Sequence, residues 1–311
     1  MKILEIGGCC AGVPQILADA FRTKHVQWVP PPQGYASTDE ITLQKPGITT
    51  LEIEQKFRHL DEFLGITRDY DILHFHYRTF LPLFVDIPLW RILGKRVIVH
   101  FHGDDIRGHS LKAKNPLLSL AKVFVSTPDL LDSVPFAEWL PNPMPVLPRT
   151  GEHRFNPQNE TPIILHAPSD RTRKGTDTIL QAIELLQGNG YEFKFKLIEN
   201  KSREEVLCEI AHSDIVIDQV GVGMYGMISL EAMMHQKPVI CHIEERYLEF
   251  CENCPIYRVD PTPDSVASAI RALLENPKRR EILGRSGRRY VQTVHSIESV
   301  ARRIKQAADA F

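Results

Sequence analysis

A strand-like run that ends at Asp218 continues as QVGVGMYGMISLEAMMHQKPVI over 219–240. Gly221, Gly223 and Gly226 make a loop in which backbone can approach a ligand closely. The helix that follows turns its amide groups and positive dipole end toward that loop, which suits a diphosphate. Glu231, about one turn into the helix, can accept hydrogen bonds from the adjacent hydroxyls of a ribose. The plainer reading is a glycine turn and a dipole-stabilising glutamate. Three glycines with Tyr225 between 221 and 226 exceed what one turn requires.

A second cluster is SDRTRKGTD over 169–177, which follows a strand and opens a helix. Arg171, Arg173 and Lys174 are cations at a helix entry, where the dipole favours carboxylates. That cost makes sense if they clamp a diphosphate leaving group. Taken alone, the segment also reads as a solvated loop.

These segments resemble those of a known family. HAPSDRTRKGTDTILQAI (166–183) is similar to the K-G-T-D donor loop of GT-B glycosyltransferases of the family 4, or group 1, type. SDIVIDQVGVGMYGMISLEAMMHQKPVI (213–240) resembles their E-G-F-G-x-x-x-x-E-A-M-x-x-G-x-P-V-I signature. HFHGDDIR (100–107) is similar to their H-G-x-D-x-R, and WLPNP (139–143) to the segment before their interdomain linker. The resemblance spans Asp71 to about His295, and its two C-terminal motifs are the specific ones.

The resemblance implies a hexosyltransferase-type enzyme that takes a sugar from a nucleotide diphosphate donor and retains anomeric configuration. It implies that Arg171 and Lys174 bind the diphosphate, with Arg173 able to share the arginine's role. Glu231 would bind the ribose, and Tyr225, Gly226, Met227 and Ile228 would offer backbone amides to the sugar and β-phosphate. Glu199 and Gly223 are placed with this donor group. His102 matches the first-domain histidine near the anomeric centre. Gly8, Gly12 and Asp104 fall on the acceptor side. The chain departs from the pattern where the first acid of the E-x7-E pair falls on Gly223 and where the usual glycine is Gln236.

Physically, glycosyl transfer develops positive charge on the sugar and negative charge on the departing phosphate. A metal can absorb the latter, and so can cationic side chains with a helix N-terminus. The expectation is therefore a metal-independent reaction with no cofactor besides the donor. No side chain in the motifs stands out as a covalent nucleophile.

Positioning these groups requires two sheets. Ile3–Ile6, Val26–Val29, DILHFH (71–76), RVIVHFH (96–102) and KVFVSTP (122–128) read as short strands. Helices are expected at 14–21, 51–64 and 80–93, which makes the sheet parallel and covered on both faces. Prolines crowd 139–162 and mark a linker. Alternation restarts with strands at 162–168, 193–198, 214–218 and 238–242 and helices at 175–187, 203–212 and 227–235. The expected fold class is α/β, GT-B, two Rossmann-like domains with a cleft between them. The boundaries are 1–148 for an acceptor domain and 149–295 for a donor domain. A helix at 296–311 is expected to pack back on the first domain.

Composition narrows the rest. A net charge of -2 offers no global field for nucleic acid, and 43% apolar with 24% charged residues is ordinary for a globular protein. No apolar run is long enough to span a bilayer. Few cysteines and no export signal point to the cytoplasm. Cys251 and Cys254 form a C-x-x-C without a second pair, which reads as an ordinary loop. Over 276–305 there are nine Lys/Arg against two Asp/Glu. That bias reads as a solvated helical face, or alternatively as a peripheral contact with the inner membrane surface that would suit a lipid-linked acceptor. The acceptor, lipid-linked or polysaccharide, is left open, as are the nucleotide and the sugar.

Three rivals stand beside this reading. His74, His76, His100 and His102 with Asp104 and Asp105 could serve a metal-dependent hydrolase, although His74 and His76 also read as packing and hydrogen-bonding groups at the cleft wall. A nucleotide-sugar epimerase could share the architecture. A degenerate nucleotide-sugar-binding subunit would tolerate the missing acid at Gly223.

Overall fold

The computed structural model describes residues 2–7, 12–26, 60–103, 105–107, 114–145 and 161–310. Gly8, Asp104, Cys9 and Cys10 lie outside these residues, as do 51–59 of the expected second helix. The chain divides into two compact units, Met1–Pro143 with Ile297–Phe311, and Met144–Ser296.

The first unit is built on a six-stranded parallel sheet. Its strands are β1 (Ile3–Gly7), β2 (His25–Val26), β3 (Ile72–His76), β4 (Arg96–Phe101), β5 (Lys122–Val125) and β6 (Glu138–Trp139), in spatial order β2-β1-β3-β4-β5-β6. The strands are mostly apolar because both faces are covered, with polar residues at their ends and in a His/Glu group toward the carboxyl ends of β1, β3 and β4. Leu4, Ile6, Leu73, Phe75, Val97, Val99 and Phe101 point to one face and pack with Phe84 and Trp90. Ile3, Ile72 and Ile98 point to the other, against Val13 and Leu17 of helix α1 (Val13–Phe21). Helix α2 spans Leu60–Thr67. The continuous helix expected over 80–93 is broken. A 3-10 turn at Pro82–Phe84 precedes α3 (Ile87–Ile92), because Leu83 and Phe84 adopt φ of 55° and 62°. The buried Asp86 carboxylate fixes this bend by accepting from Phe80 N at 3.0 Å and Trp90 Nε1 at 2.8 Å.

The second unit carries a five-stranded parallel sheet of β7 (Ile163–His166), β8 (Lys194–Leu197), β9 (Ile215–Ile217), β10 (Val239–Cys241) and β11 (Tyr257–Arg258). Its order is β11-β10-β9-β7-β8. Its helices are α4 (Arg171–Lys174), α5 (Thr176–Gly188), α6 (Arg203–His212), α7 (Met227–Met234), α8 (Pro263–Leu274) and α9 (Pro277–Val294). Helix α6 starts at a reciprocal capping box, with Ser202 accepting from Glu205 N and Glu205 accepting from Ser202 N. Gln236 holds φ of 59° just after α7, a left-handed position that explains why glycine is usual in the resembled motif. Cys251 and Cys254 are free, and burial holds both thiols up to about 12, so they stay protonated.

The last helix, α10 (Ile297–Asp309), belongs to the first unit. Val300, Ile304 and Ala308 recur on one face and join Ile3, Val13, Leu17 and Ile72 in one apolar cluster. Much of the basic 276–305 segment answers internal groups. Arg280 is buried and donates to Leu273 O and Leu274 O, Arg288 donates to Met234 O, and Arg303 stacks over Trp139. No helix of the described residues is long and apolar enough to cross a membrane. If α10 is part of the first core, Ile304→Ala should cost about 2–5 kcal/mol. Exposed Arg302→Ala should stay within about 0.5 kcal/mol. Denaturant melts check this, and equal effects of the two substitutions would remove α10 from the core.

Candidate functional site

Ligands bind open α/β sheets outside the carboxyl ends of the strands, where the strand order reverses. In the second unit the chain runs from β7 to β8 on one side and to β9 on the other, so the reversal lies between β7 and β9. The basic segment follows β7, and the glycine loop follows β9. Topology therefore brings the two sequence motifs to one point.

They meet through a buried ion pair. Lys174 Nζ lies 2.7 Å from Asp218 Oδ1, with side-chain exposures of 16% and 0%. The other carboxylate oxygen accepts from Gly226 N and Ser229 Oγ, both at 2.6 Å. Burial pushes the Asp218 carboxyl up, but Lys174 and the hydrogen bonds from Ser229 and Gly226 outweigh it and hold it below its ordinary value. The backbones also join, with Val220 N donating to Lys174 O at 3.0 Å. A Cβ at Gly221 would stand 2.4 Å from Arg173 O, so only glycine permits this approach.

The loop is braced from within by Gln219. Its Oε1 accepts from Val222 N at 2.6 Å, and its Nε2 donates to Met224 O at 2.6 Å and His242 O at 3.1 Å. Tyr225 turns its side chain inward, where its hydroxyl sits 3.0 Å from both Tyr290 Oη and His295 Nε2. Of the four backbone amides expected to face a ligand, that of Gly226 is instead held by Asp218. Met227 and Ile228, half-buried, form the first turn of α7, where helix amides lack intrahelical partners. Lys174 Nζ stands beside this helix start, 3.2 Å from where a Gly226 Cβ would be.

Glu231 is more enclosed than expected. It is 6% exposed, and Arg203 Nε donates to its Oε1 at 2.8 Å. Burial raises its pKa against the opposing effect of Arg203. Arg171 and Glu199, both expected on the donor side, pair with each other through two hydrogen bonds of 2.7 and 2.6 Å. The fork raises the Arg171 pKa and lowers that of Glu199. The dipole argument for the cations does not hold. Arg171–Lys174 form their own single turn, capped by Asp170 and ended by left-handed Gly175, so all three cations lie before the long helix that begins at Thr176 rather than in its first turn.

Gly223 has φ of 83°, and a Cβ there would come within 2.7 Å of Glu244 Oε1. The acid missing at 223 is thus matched in space by a carboxylate from the segment after β10, held by Glu244 N to Gly223 O and by Arg246 Nε to Glu244 Oε2. Sequence reasoning missed Glu244, Gln219, Ser229 and Arg203. Asp218, the residue that closes a strand before a glycine loop, carried a usable signal.

In the first unit Gly12 begins α1 with φ of 77°, while Gly8 and Asp104 are not among the described residues. His102 follows β4, and its Nε2 lies 2.9 Å from His76 Nδ1. Burial, then His74, pushes its pKa to about 3, so the ring is neutral. Asp105 accepts from the backbone N–H groups of His102 and Gly103, closing its own loop.

A scan against protein-family models finds no match, and a sequence search of curated proteins finds none. Solved structures match over the whole chain. A glycosyltransferase from Rickettsia africae aligns with TM-score 0.68 at 13% identity, covering 99% of this chain and 98% of that one. HepE of Anabaena, solved in complex with UDP, aligns with TM-score 0.68 at 13% identity over 100% of both chains. The chain has the GT-B fold. The UDP-GlcNAc 2-epimerase of Neisseria meningitidis, solved with UDP-GlcNAc, aligns with TM-score 0.58 at 14% identity over 100% of both chains. Transferases and an epimerase share this fold, so fold alone does not choose the reaction.

The ion pair yields a direct prediction. Asp218→Asn leaves Lys174 with no counter-charge and should destabilise the chain by about 3–5 kcal/mol. Because the folded pKa of Asp218 is lowered from 3.8, its stabilisation is full above that value and is lost as pH falls through the folded value. Acid melts should show a smaller loss below about pH 4 in the variant than in the parent. Identical acid profiles would contradict the assignment.

Proposed function

We propose that the chain is a glycosyltransferase that draws its sugar from a nucleoside diphosphate donor held by the second unit. The observation that carries this reading is the placement of Lys174 Nζ beside the start of α7, at the reversal between β7 and β9. An ammonium and a helix N-terminus aimed at one point suit a diphosphate, both in the ground state and as a leaving group. HepE was solved with UDP, and UDP is the nucleotide we assign here.

The remaining residues take roles around that point. Arg171 and Arg173, from the same turn as Lys174, share the diphosphate with it, and Glu199 orients Arg171. Arg203 fixes Glu231, which recognises the ribose hydroxyls. Met227 and Ile228 offer amides to the β-phosphate. Glu244, above Gly223, takes the hydroxyls of the donor sugar in place of an acid at 223. Neutral His102 is given a hydrogen-bonding role by the family resemblance alone. Charge on the leaving phosphate is then met by protein cations, so transfer needs no added magnesium or manganese. We further assign retention of configuration and a hexosyl donor by resemblance to the family 4 type, with the acceptor left open between a lipid-linked carrier and a polysaccharide. Epimerisation is the second reading, favoured by the epimerase likeness, and product analysis with and without acceptor separates the two.

Calorimetry on one set of variants tests the assignment. Lys174→Ala should weaken UDP binding about tenfold or more, in line with a charge-assisted bond of roughly 1.5–3 kcal/mol. Glu244→Gln should weaken a UDP-sugar but leave UDP unchanged. Glu231→Gln should weaken UDP and lose the parent's preference for it over its 2′,3′-dideoxy form. Turnover should be the same with brief EDTA treatment as with added manganese. Unchanged UDP affinity in a folded Lys174→Ala chain would sink the clamp, and manganese-dependent turnover would sink the metal-free leaving-group chemistry.

A further inference from the structure

On the α1 side of the first sheet, apolar Ile3 and Ile72 give way to Glu5, His74, His76 and His100 toward the carboxyl ends of the strands. Register aligns them, with Glu5 opposite His74, and Gly7, His76 and His100 side by side across β1, β3 and β4. Residues two apart on a strand share a face, so both His-x-His pairs point the same way. The group lies at the reversal between β1 and β3, the ligand-binding position of a sheet in this order.

All four side chains are fully buried. Both ring nitrogens of His74, both of His100, and Glu5 Oε1 lack hydrogen-bond partners among the described residues. His74 Nδ1 is 2.9 Å from Glu5 Oε2, but without the geometry of a hydrogen bond. Buried polar groups are rarely left this way, since each forfeits its hydration without replacement. One nitrogen from each of these rings, with the Glu5 carboxylate, can answer a single shared partner.

The chemistry of that partner follows from the donors. Ring nitrogens of His74, His76 and His100 lie within 4.8 Å of one another. Glu5 Oε2 is 2.9 Å from His74 Nδ1 and 2.8 Å from His76 Nε2. Imidazoles with one carboxylate favour a borderline divalent transition metal over calcium or magnesium. Around bonds of about 2.0–2.1 Å, tetrahedral ligands stand about 3.3 Å apart, so ring rotations must draw the imidazoles in by about 1 Å or more.

We propose that His74, His76 and His100 bind a zinc-class divalent ion within the first unit, with Glu5, beside His74 and His76, drawn in as the carboxylate. With Glu5 the three histidines would make four ligands, and all four side chains are fully buried, so the site would be closed and structural. It is separate from the donor chemistry of the second unit and from any added magnesium or manganese. One link leads outward, because His76 Nδ1 lies 2.9 Å from His102 Nε2, so the ion's surroundings orient the residue that follows β4. The sequence reading set these histidines, with His102, Asp104 and Asp105, in a rival metal-dependent hydrolase, and gave His74 and His76 a packing role otherwise.

The test uses the full chain purified without a histidine tag or chelator. Elemental analysis should find about one zinc-class ion per chain. Unfolding in chelator and refolding with cobalt should give the visible absorption of tetrahedral cobalt. His74→Gln and His100→Gln should each cut the bound metal at least tenfold while circular dichroism shows a folded chain. A folded parent that holds no metal and takes up no cobalt would overturn the proposal, as would folded variants holding as much metal as the parent. If the variants fail to fold, the parent's cobalt spectrum decides alone. The readout involves no nucleotide, so its failure is distinct from failure of the donor reading.

Discussion

The second unit depends on one interaction, the buried pair between Lys174 and Asp218. Neither partner is sequence-local to the other, and each lies in the segment that follows a different strand, β7 or β9. A buried carboxylate is costly unless every lone pair is answered. Here an ammonium, a backbone amide and a serine hydroxyl answer it together. That saturation fixes the start of α7, the glycine loop and the basic turn relative to one another. The groups proposed to meet phosphate are thereby set in place by the fold, and such preorganisation is what makes fixed charges effective in transfer reactions.

The pair also defines what the loop can and cannot do. Holding the Gly226 amide on Asp218 removes one donor from the set available to a ligand and leaves the turn begun by Met227 and Ile228. Gln219 braces the loop from behind, and Tyr225 anchors it to α9 and the segment after it. Glycine at 223 gives up a side-chain carboxylate but makes room for that of Glu244. One site thus keeps an acid at this place with its origin moved along the chain. The first unit repeats the logic at its own reversal, where polar side chains gather at the carboxyl ends of otherwise apolar strands.

Much of this was legible in the sequence. Short β-branched runs alternating with helical periodicity specify parallel sheets, and Arg203–His212 was read to the residue because its capping box is local. The two donor motifs announced themselves by composition. Long-range partners were not legible. Nothing near Glu231 points to Arg203, and nothing near Gly223 points to Glu244, because both contacts arise from strand order. The break at 82–86 was missed because left-handed Leu83 and Phe84 oppose their intrinsic preferences, and local bonds from Phe80 N and Trp90 Nε1 to the buried Asp86 carboxylate hold the bend against them. The dipole argument failed for a smaller reason. A turn ended by Gly175 separates the cations from the long helix.

The central claim is that the segments after β7 and β9 form one nucleotide diphosphate site. Hydrogen exchange read by mass spectrometry, with and without saturating UDP, tests it most directly. Bound UDP should slow exchange in peptides covering 170–176 and 219–230 together. Within the second unit, the far ends of the strands should be unchanged. Protection of one segment without the other, or none at saturation, would contradict the account.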